Sequence, residues 1–108
     1  MSPQPKDIYM IQVMVGYSNY PRPCVIIDVM KDFVTVLPLS SAMDLYNPDS
    51  DFIIENTHPD FGATGLIRTS YISCQYAFDI PISDLSKKRR GYLKGKMAKA
   101  FDNWANSE

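Results

Sequence analysis

Cys24-Val25-Ile26-Ile27-Asp28-Val29-Met30-Lys31-Asp32-Phe33-Val34-Thr35-Val36-Leu37-Pro38-Leu39 reads as two β-strands around a short turn. β-Branched and aromatic side chains dominate both arms, and Lys31-Asp32 is the polar break between them. Pro38 cannot donate to a ladder, so it belongs at an edge or a bulge. If the two arms pair as a hairpin, Arg22 and Ser40 come level at its far end.

Further strands lie on both sides of this hairpin. Ile8-Tyr9-Met10-Ile11-Gln12-Val13-Met14-Val15 is apolar, rich in β-formers and ended by Gly16. Gly16-Tyr17-Ser18-Asn19-Tyr20-Pro21 is turn chemistry and predicts a loop. Downstream, Phe52-Ile53-Ile54-Glu55, residues 66–73 (alternating from Ile67 on) and Tyr76-Ala77-Phe78-Asp79-Ile80 read as short strands. Between them, the polar stretch 40–51 predicts an exposed, mobile loop, and 56–65, with His58-Pro59, Gly62 and Gly65, a second loop.

Near the C-terminus the period changes. Ser83-Asp84 can cap a helical turn over 85–90 that Gly91 stops. Beyond Gly95, Met97, Ala100, Phe101 and Trp104 recur at i, i+3, i+4 and i+7, which predicts a helix of about ten residues docked by that stripe. A lone Trp on such a stripe usually anchors the helix. Short, closely spaced strands followed by one helix predict a mainly β domain, a small antiparallel barrel with a C-terminal helix.

At 108 residues, with 45% hydrophobic and 21% charged side chains, the chain makes one domain, residues 1–108. That composition excludes disorder, collagen-like repeats and a disulfide scaffold. No apolar run approaches the ~20 residues that span a bilayer, so no membrane partner is expected. Met1-Ser2-Pro3-Gln4-Pro5-Lys6-Asp7 lacks the charged-then-apolar profile of a secretory signal, and a cytoplasmic protein is expected. Cys24 and Cys74 lie far apart among apolar neighbours and read as buried, reduced thiols.

Charge is nearly balanced overall but poorly mixed. Residues 1–86 carry a net charge of −6, and residues 87–108, with Lys87-Lys88-Arg89-Arg90, Lys94, Lys96 and Lys99, a net of +5, against a total of −1. Such a gradient suits a polyanion at one end of the molecule and equally a solvated helix face.

No metal-ligand spacing, nucleophile elbow or phosphate-binding glycine loop is present, so no cofactor or metal is expected. Lone His58 precedes a proline in a predicted loop, and Asp44, Asp49 and Asp51 read as solvated loop carboxylates. Arg22 lies between Pro21 and Pro23, which restrict the backbone on either side of it. A guanidinium beside the Ser40 hydroxyl, with Ser41 following, suits a phosphodiester: a bidentate positive fork and a neutral donor. On spacing alone, Arg22 pairing with a loop carboxylate and Ser40 simply ending a strand fits as well.

Several segments together resemble the MazF/PemK family of toxin ribonucleases. Pro5-Lys6-Asp7-Ile8-Tyr9 and Arg22-Pro23-Cys24-Val25-Ile26-Ile27 are similar to its opening strand and the Arg-Pro strand that follows. Val34-Thr35-Val36-Leu37-Pro38-Leu39-Ser40-Ser41 looks like its third strand, which ends in Thr or Ser. Thr64-Gly65-Leu66 with Ser70-Tyr71-Ile72, and Ile82-Ser83-Asp84-Leu85 with Lys88-Arg89-Arg90-Gly91-Tyr92-Leu93, resemble later segments, in order along nearly the whole chain.

The resemblance implies a closed, SH3-like antiparallel barrel with a C-terminal helix, usually a homodimer. It implies metal-independent cleavage of single-stranded RNA, including mRNA, and a cognate antitoxin that blocks the RNA groove. The family's catalytic arginine and its Thr/Ser map onto Arg22 and Ser40. Bases would stack on Tyr17, Tyr20 and Tyr46 from the flanking loops, with Asn19 beside them.

The sequence departs from the family at three places. Lys6 replaces the opening glycine, the loop 16–21 is short, and Ala77-Phe78-Asp79-Ile80 stands where many members carry an Arg-Thr pair. Arg68 and Asp79 are the candidates to support catalysis in its place. Two other classes share these expectations of fold: a non-catalytic SH3-like binding module, and a topoisomerase-poisoning toxin acting through the end of the helix around Trp104.

Overall fold

The hairpin forms where the sequence puts it. In this computed structural model, which describes residues 2–15, 18–73, 76–85 and 88–107 and only the backbone of 13–15 and 18–20, Ser18–Val29 (β2) pairs antiparallel with Phe33–Ser40 (β3). The register sets Cys24 opposite Pro38 and Val25 opposite Leu37, with a bulge between Ile26 and Asp28.

Asp7–Val15 (β1) lies on the other side of β2, and its ladder continues to Val15 opposite Ser18. The loop expected over 16–21 is therefore shorter: Ser18, Asn19, Tyr20 and Pro21 belong to β2, while Gly16 and Tyr17 fall outside the described residues. Pro21 and Pro23 sit beyond the last β2–β3 pair, where one edge of β2 has no ladder to supply. Their restricted φ is compatible with extended chain, which turn-residue statistics do not register.

Phe52–Ile54 (β4), Ser70–Ile72 (β5), Phe78–Pro81 (β6) and Gly91–Tyr92 (β7) complete the sheet. Its order is β4-β5-β3-β2-β1-β7, with β6 also on β3. β3 shares its second edge: Phe33 to Val36 face β6, and Leu39 and Ser40 face β5. Pro38 falls in the gap between those two ladders. Only three of the residues expected as a strand over 66–73 pair, because Ile67 and Arg68 face solvent.

Among the described residues β4 and β7 do not pair with each other, so the sheet is an antiparallel half-barrel rather than a closed one. A 3-10 turn, Phe61–Thr64, and the helix Gly95–Asn106 (α1) occupy the open side. The helical turn expected over 85–90 lies earlier, at Ile82–Asp84, and Gly91 begins a strand instead of ending a helix. Arg90 N–H donates to the Ile8 carbonyl and Leu93 N–H to that of Lys6, zipping this segment onto β1.

Alternation along the strands gives the sheet two buried faces. Ile8, Val25, Leu37, Leu39, Ile54 and Ile72 pack under α1 against Met97 and Phe101. Tyr9, Ile11, Cys24, Ile26, Val34 and Val36 form the opposite layer with Phe78, Ile80 and Leu85. The helix stripe differs from expectation at one place: Ala100 is exposed, and Ala98 takes its share of the contact.

Trp104 packs against Phe52 and Phe101 with ring centroids 5.6 and 5.7 Å away, and its indole N–H donates to the Ser50 carbonyl at 3.0 Å. That bond and the 3-10 turn Met43–Leu45 give structure to a stretch expected to be a mobile loop. The Asp60 carboxylate accepts the N–H groups of Lys96 and Met97, capping α1 from outside the helix.

Lys6 has a left-handed φ of 74°. The backbone there is fixed by Lys6 N–H donating to Ile26 and by Leu93 donating to Lys6, and Lys6 Nζ reaches Asp102 at 3.1 Å. A lysine is thus held in a conformation that favours glycine, at a cost of about 1–2 kcal/mol.

Gly91 marks the tightest crossing: a Cβ there would run into the carbonyls of Thr64 and Ala63. Gly91→Ala must push the 3-10 turn off β7, and urea titration should show a loss of about 1–3 kcal/mol.

Candidate functional site

A cleft of about 480 Å³ opens beside the end of β3, against Met10 of β1 and Pro21, Arg22 and Pro23 of β2. Arg22 lies two residues beyond Cys24 and Ser40 two beyond Pro38, so the β2–β3 register, continued, brings them level. Both line the cleft, and so do Ser41 and Arg68. Ser40 Oγ accepts the Ala42 N–H at 3.2 Å, which leaves its own O–H free to donate.

Leu66, Ile67 and Arg68 line the cleft from the segment 65–69, a strap between the 3-10 turn Phe61–Thr64 and β5. It is tied at both ends. Arg90 Nε donates to the Gly65 carbonyl at 2.9 Å, and the Asn56 N–H donates to Thr69 Oγ1 at 2.9 Å. Gly65 turns with φ 73°, and a Cβ there would strike Arg90. Leu66 and Ile67 give this wall an apolar part, Ile67 being 78% exposed, while Arg68, Ser70 and Arg90 give it a polar one.

Three arginines thus line one cleft, and none of its described lining residues is Asp or Glu. No described lining residue sets a carboxylate against these three charges, so the cleft favours an anion. Arg89, next in sequence to Arg90, is spent differently: it donates to buried Asp7 at 2.9 Å and stacks over Tyr92, 4.3 Å from the ring centroid. Sequence reading placed Arg90 in a helical turn and did not single it out. The signal was the alternation of Arg89 and Arg90 along an extended segment, visible only once β7 is recognised.

Other candidates lie elsewhere. Asp79 is not at the cleft: on β6, opposite Thr35, it accepts the Thr35 hydroxyl at 2.6 Å. Tyr46 is not among the lining residues either; its ring tilts against Tyr71 at 5.7 Å. Tyr17 lies outside the described residues, and Asn19 and Tyr20 are placed only as backbone, opposite Met14 and Val13. His58 Nδ1 accepts the Asp60 N–H in a local turn. Among the described residues no three His, Cys, Asp or Glu side chains come together as a metal site, and no helix is long and apolar enough to cross a membrane.

Cys24 is a buried free thiol, and Cys74 falls outside the described residues. The Cys24 S–H approaches the Arg22 carbonyl at 3.5 Å. Burial pushes the thiol from its ordinary 9.0 up to about 12, and the Arg22 charge only partly opposes this.

Neither a protein-family model nor a curated protein sequence matches the chain. A solved structure does: Mycobacterium tuberculosis toxin MazF-mt6, with a TM-score of 0.64 over 94% of this chain and 98% of that one, at 22% identity. This chain has the MazF-like fold. The half-barrel and its single C-terminal helix are the features the two share as architecture.

The MazF-like sheet buries Cys24 in its protonated form, which has a consequence for stability. The unfolded chain releases that proton near pH 9 while the folded chain holds it to about 12, so stability falls as pH rises through this window. Urea midpoints at pH 8 and pH 10 should drop further in the wild-type protein than in Cys24→Ala.

Proposed function

We propose that this protein is an endoribonuclease toxin of a toxin–antitoxin module, cutting single-stranded RNA in the cleft lined by Arg22 of β2, Ser40 of β3 and the 65–69 segment. The observation that carries the reading is the convergence of Arg22, Ser40 and two further arginines on a cleft lined by no described carboxylate. The MazF-like fold and the sequence resemblance support the same conclusion. A cytoplasmic homodimer held in check by an antitoxin at the cleft belongs to this reading.

Cleavage by internal transfer needs no added nucleophile. The 2′-oxygen attacks the adjacent phosphorus, the bond to the 5′-oxygen breaks, and a cyclic phosphate and a 5′-hydroxyl result. Arg22 gathers the charge that develops on the phosphoryl oxygens, and Ser40 donates to one of them. A guanidinium is a poor base, and the described lining holds neither carboxylate nor imidazole. The 2′-proton therefore leaves to water or to a phosphate oxygen, and the 5′-oxygen takes one from water, or from Arg22, which regains it from water at once. The same lack of a base favours, as second reading, a module that binds the phosphodiester without cutting it.

Incubation with a long mixed-sequence RNA in EDTA separates the two. Discrete cuts ending in 2′,3′-cyclic phosphate are expected, about a hundredfold or more slower in Arg22→Ala with its melting temperature retained. Well-folded parent protein that binds RNA and leaves it intact would favour the binding module. If catalysis lacks a side-chain base as described, log kcat should climb with pH from 6 to 8 with no inflection near the histidine range.

A further inference from the structure

We propose that Arg90, together with Arg68, holds a second internucleotide phosphate next to the one read at Arg22 and Ser40. The proposal rests on the RNA reading of the cleft and adds a length requirement to it: the ligand must carry two consecutive phosphodiesters.

The placement comes from the sheet. Arg22 lies on β2 and Arg90 directly precedes β7, with β1 between them. Two strand spacings separate their backbones by about 10 Å, so the two forks enter the cleft from different strands. Arg90 is also prepared for a ligand. Its Nε is fixed on the Gly65 carbonyl, which holds the planar fork at the cleft wall, and its terminal N–H groups meet no partner among the described residues. An arginine already held by one bond loses less freedom on binding than a mobile one.

Arg68 follows three residues after Gly65 on the same strap and is exposed; its carbonyl accepts the Ser70 hydroxyl, and its side chain meets no partner among the described residues. Between the two arginines, Ile67 offers an apolar surface at the cleft rim. Cationic groups flanking an exposed apolar side chain match a nucleotide, phosphate beside base, better than a simple inorganic anion. Arg89 supplies the contrast: with Asp7 and Tyr92 as partners, it has no such role.

The test compares two uncleavable probes, 2′-deoxy oligonucleotides with one and with two internucleotide phosphates, by chemical-shift titration or competition binding. The quantity read is the ratio of their affinities. In the wild-type protein the second phosphate should improve binding by about tenfold, as one charge-assisted pair does. Arg90→Ala should bring that ratio close to one, Arg68→Ala should reduce it, and Arg90→Lys should keep part of it. The two-phosphate probe should also lose about 0.7 from its salt slope in Arg90→Ala.

A residue that only anchored the strap would weaken both probes equally and leave the ratio intact; that result overturns the proposal, as does a wild-type ratio near one. Cleavage of the matching ribo-oligonucleotide is read separately. An arginine-dependent ratio without cleavage would sink the nuclease reading and leave the second phosphate site standing.

Discussion

The second edge of β3 is divided between two partners, and the shape of the molecule depends on that division. β6 takes the first half of the edge and β5 the second, with Pro38 in the gap. Two strands leaving one edge cannot continue in a common plane, so the β5–β4 pair folds over toward α1 while β6 closes the opposite layer. The core under the helix and the core behind the sheet exist because the strand is shared in this way. The division also leaves Ser40 at the end of β3 on the rim of an opening instead of inside a ladder of full length.

The uneven distribution of charge acquires a location through this geometry. The basic run at 87–90 is not a uniform surface: strand alternation sends Arg89 to buried Asp7 and Arg90 to the cleft. Lys94 and Lys96 then stand at the start of α1, the positive end of its dipole, where Asp60 is the carboxylate that receives the first N–H groups. Carboxylates of the first eighty residues are interleaved with these charges: Asp7 meets Arg89, and Asp60 meets the start of α1. The basic run of the sequence is thus divided between an ion pair, the cleft and the helix start rather than lying on a helix face alone.

How much was legible followed the strength of local signals. Strands β1 and β3, and the half of β2 from Cys24 on, are written in β-branched residues, and α1 in a helical period; these stand close to their expected positions. The two-residue strand β7 carries no such signal, since Gly91 and Tyr92 are selected by close approach to Thr64 and by pairing with β1. Prolines 21 and 23 suppressed the strand reading of their segment although extended chain accommodates them at an unladdered edge. Arg22, Ser40 and Ser41 were visible as candidates because they flank recognisable strands, and Arg68 as a stand-in for an arginine that the resemblance leads one to expect near Phe78. Arg90 was not, because its place depends on β7, and Asp79 was singled out by position in the sequence although its partner is Thr35.

The crossing of Gly91 beneath the 3-10 turn bears on the order of folding. β1 begins at Asp7 and its outer partner is residues 91 and 92, so the two edges of one ladder are separated by most of the chain. Contacts of such separation require a large loop to close before they contribute, and they form late. The β1–β2–β3 meander can assemble from neighbours, but the strap is anchored by Arg90 and the wall of the cleft is incomplete until that residue arrives. The scaffold strands pair with near neighbours in sequence, whereas the cleft wall depends on a contact that spans most of the chain.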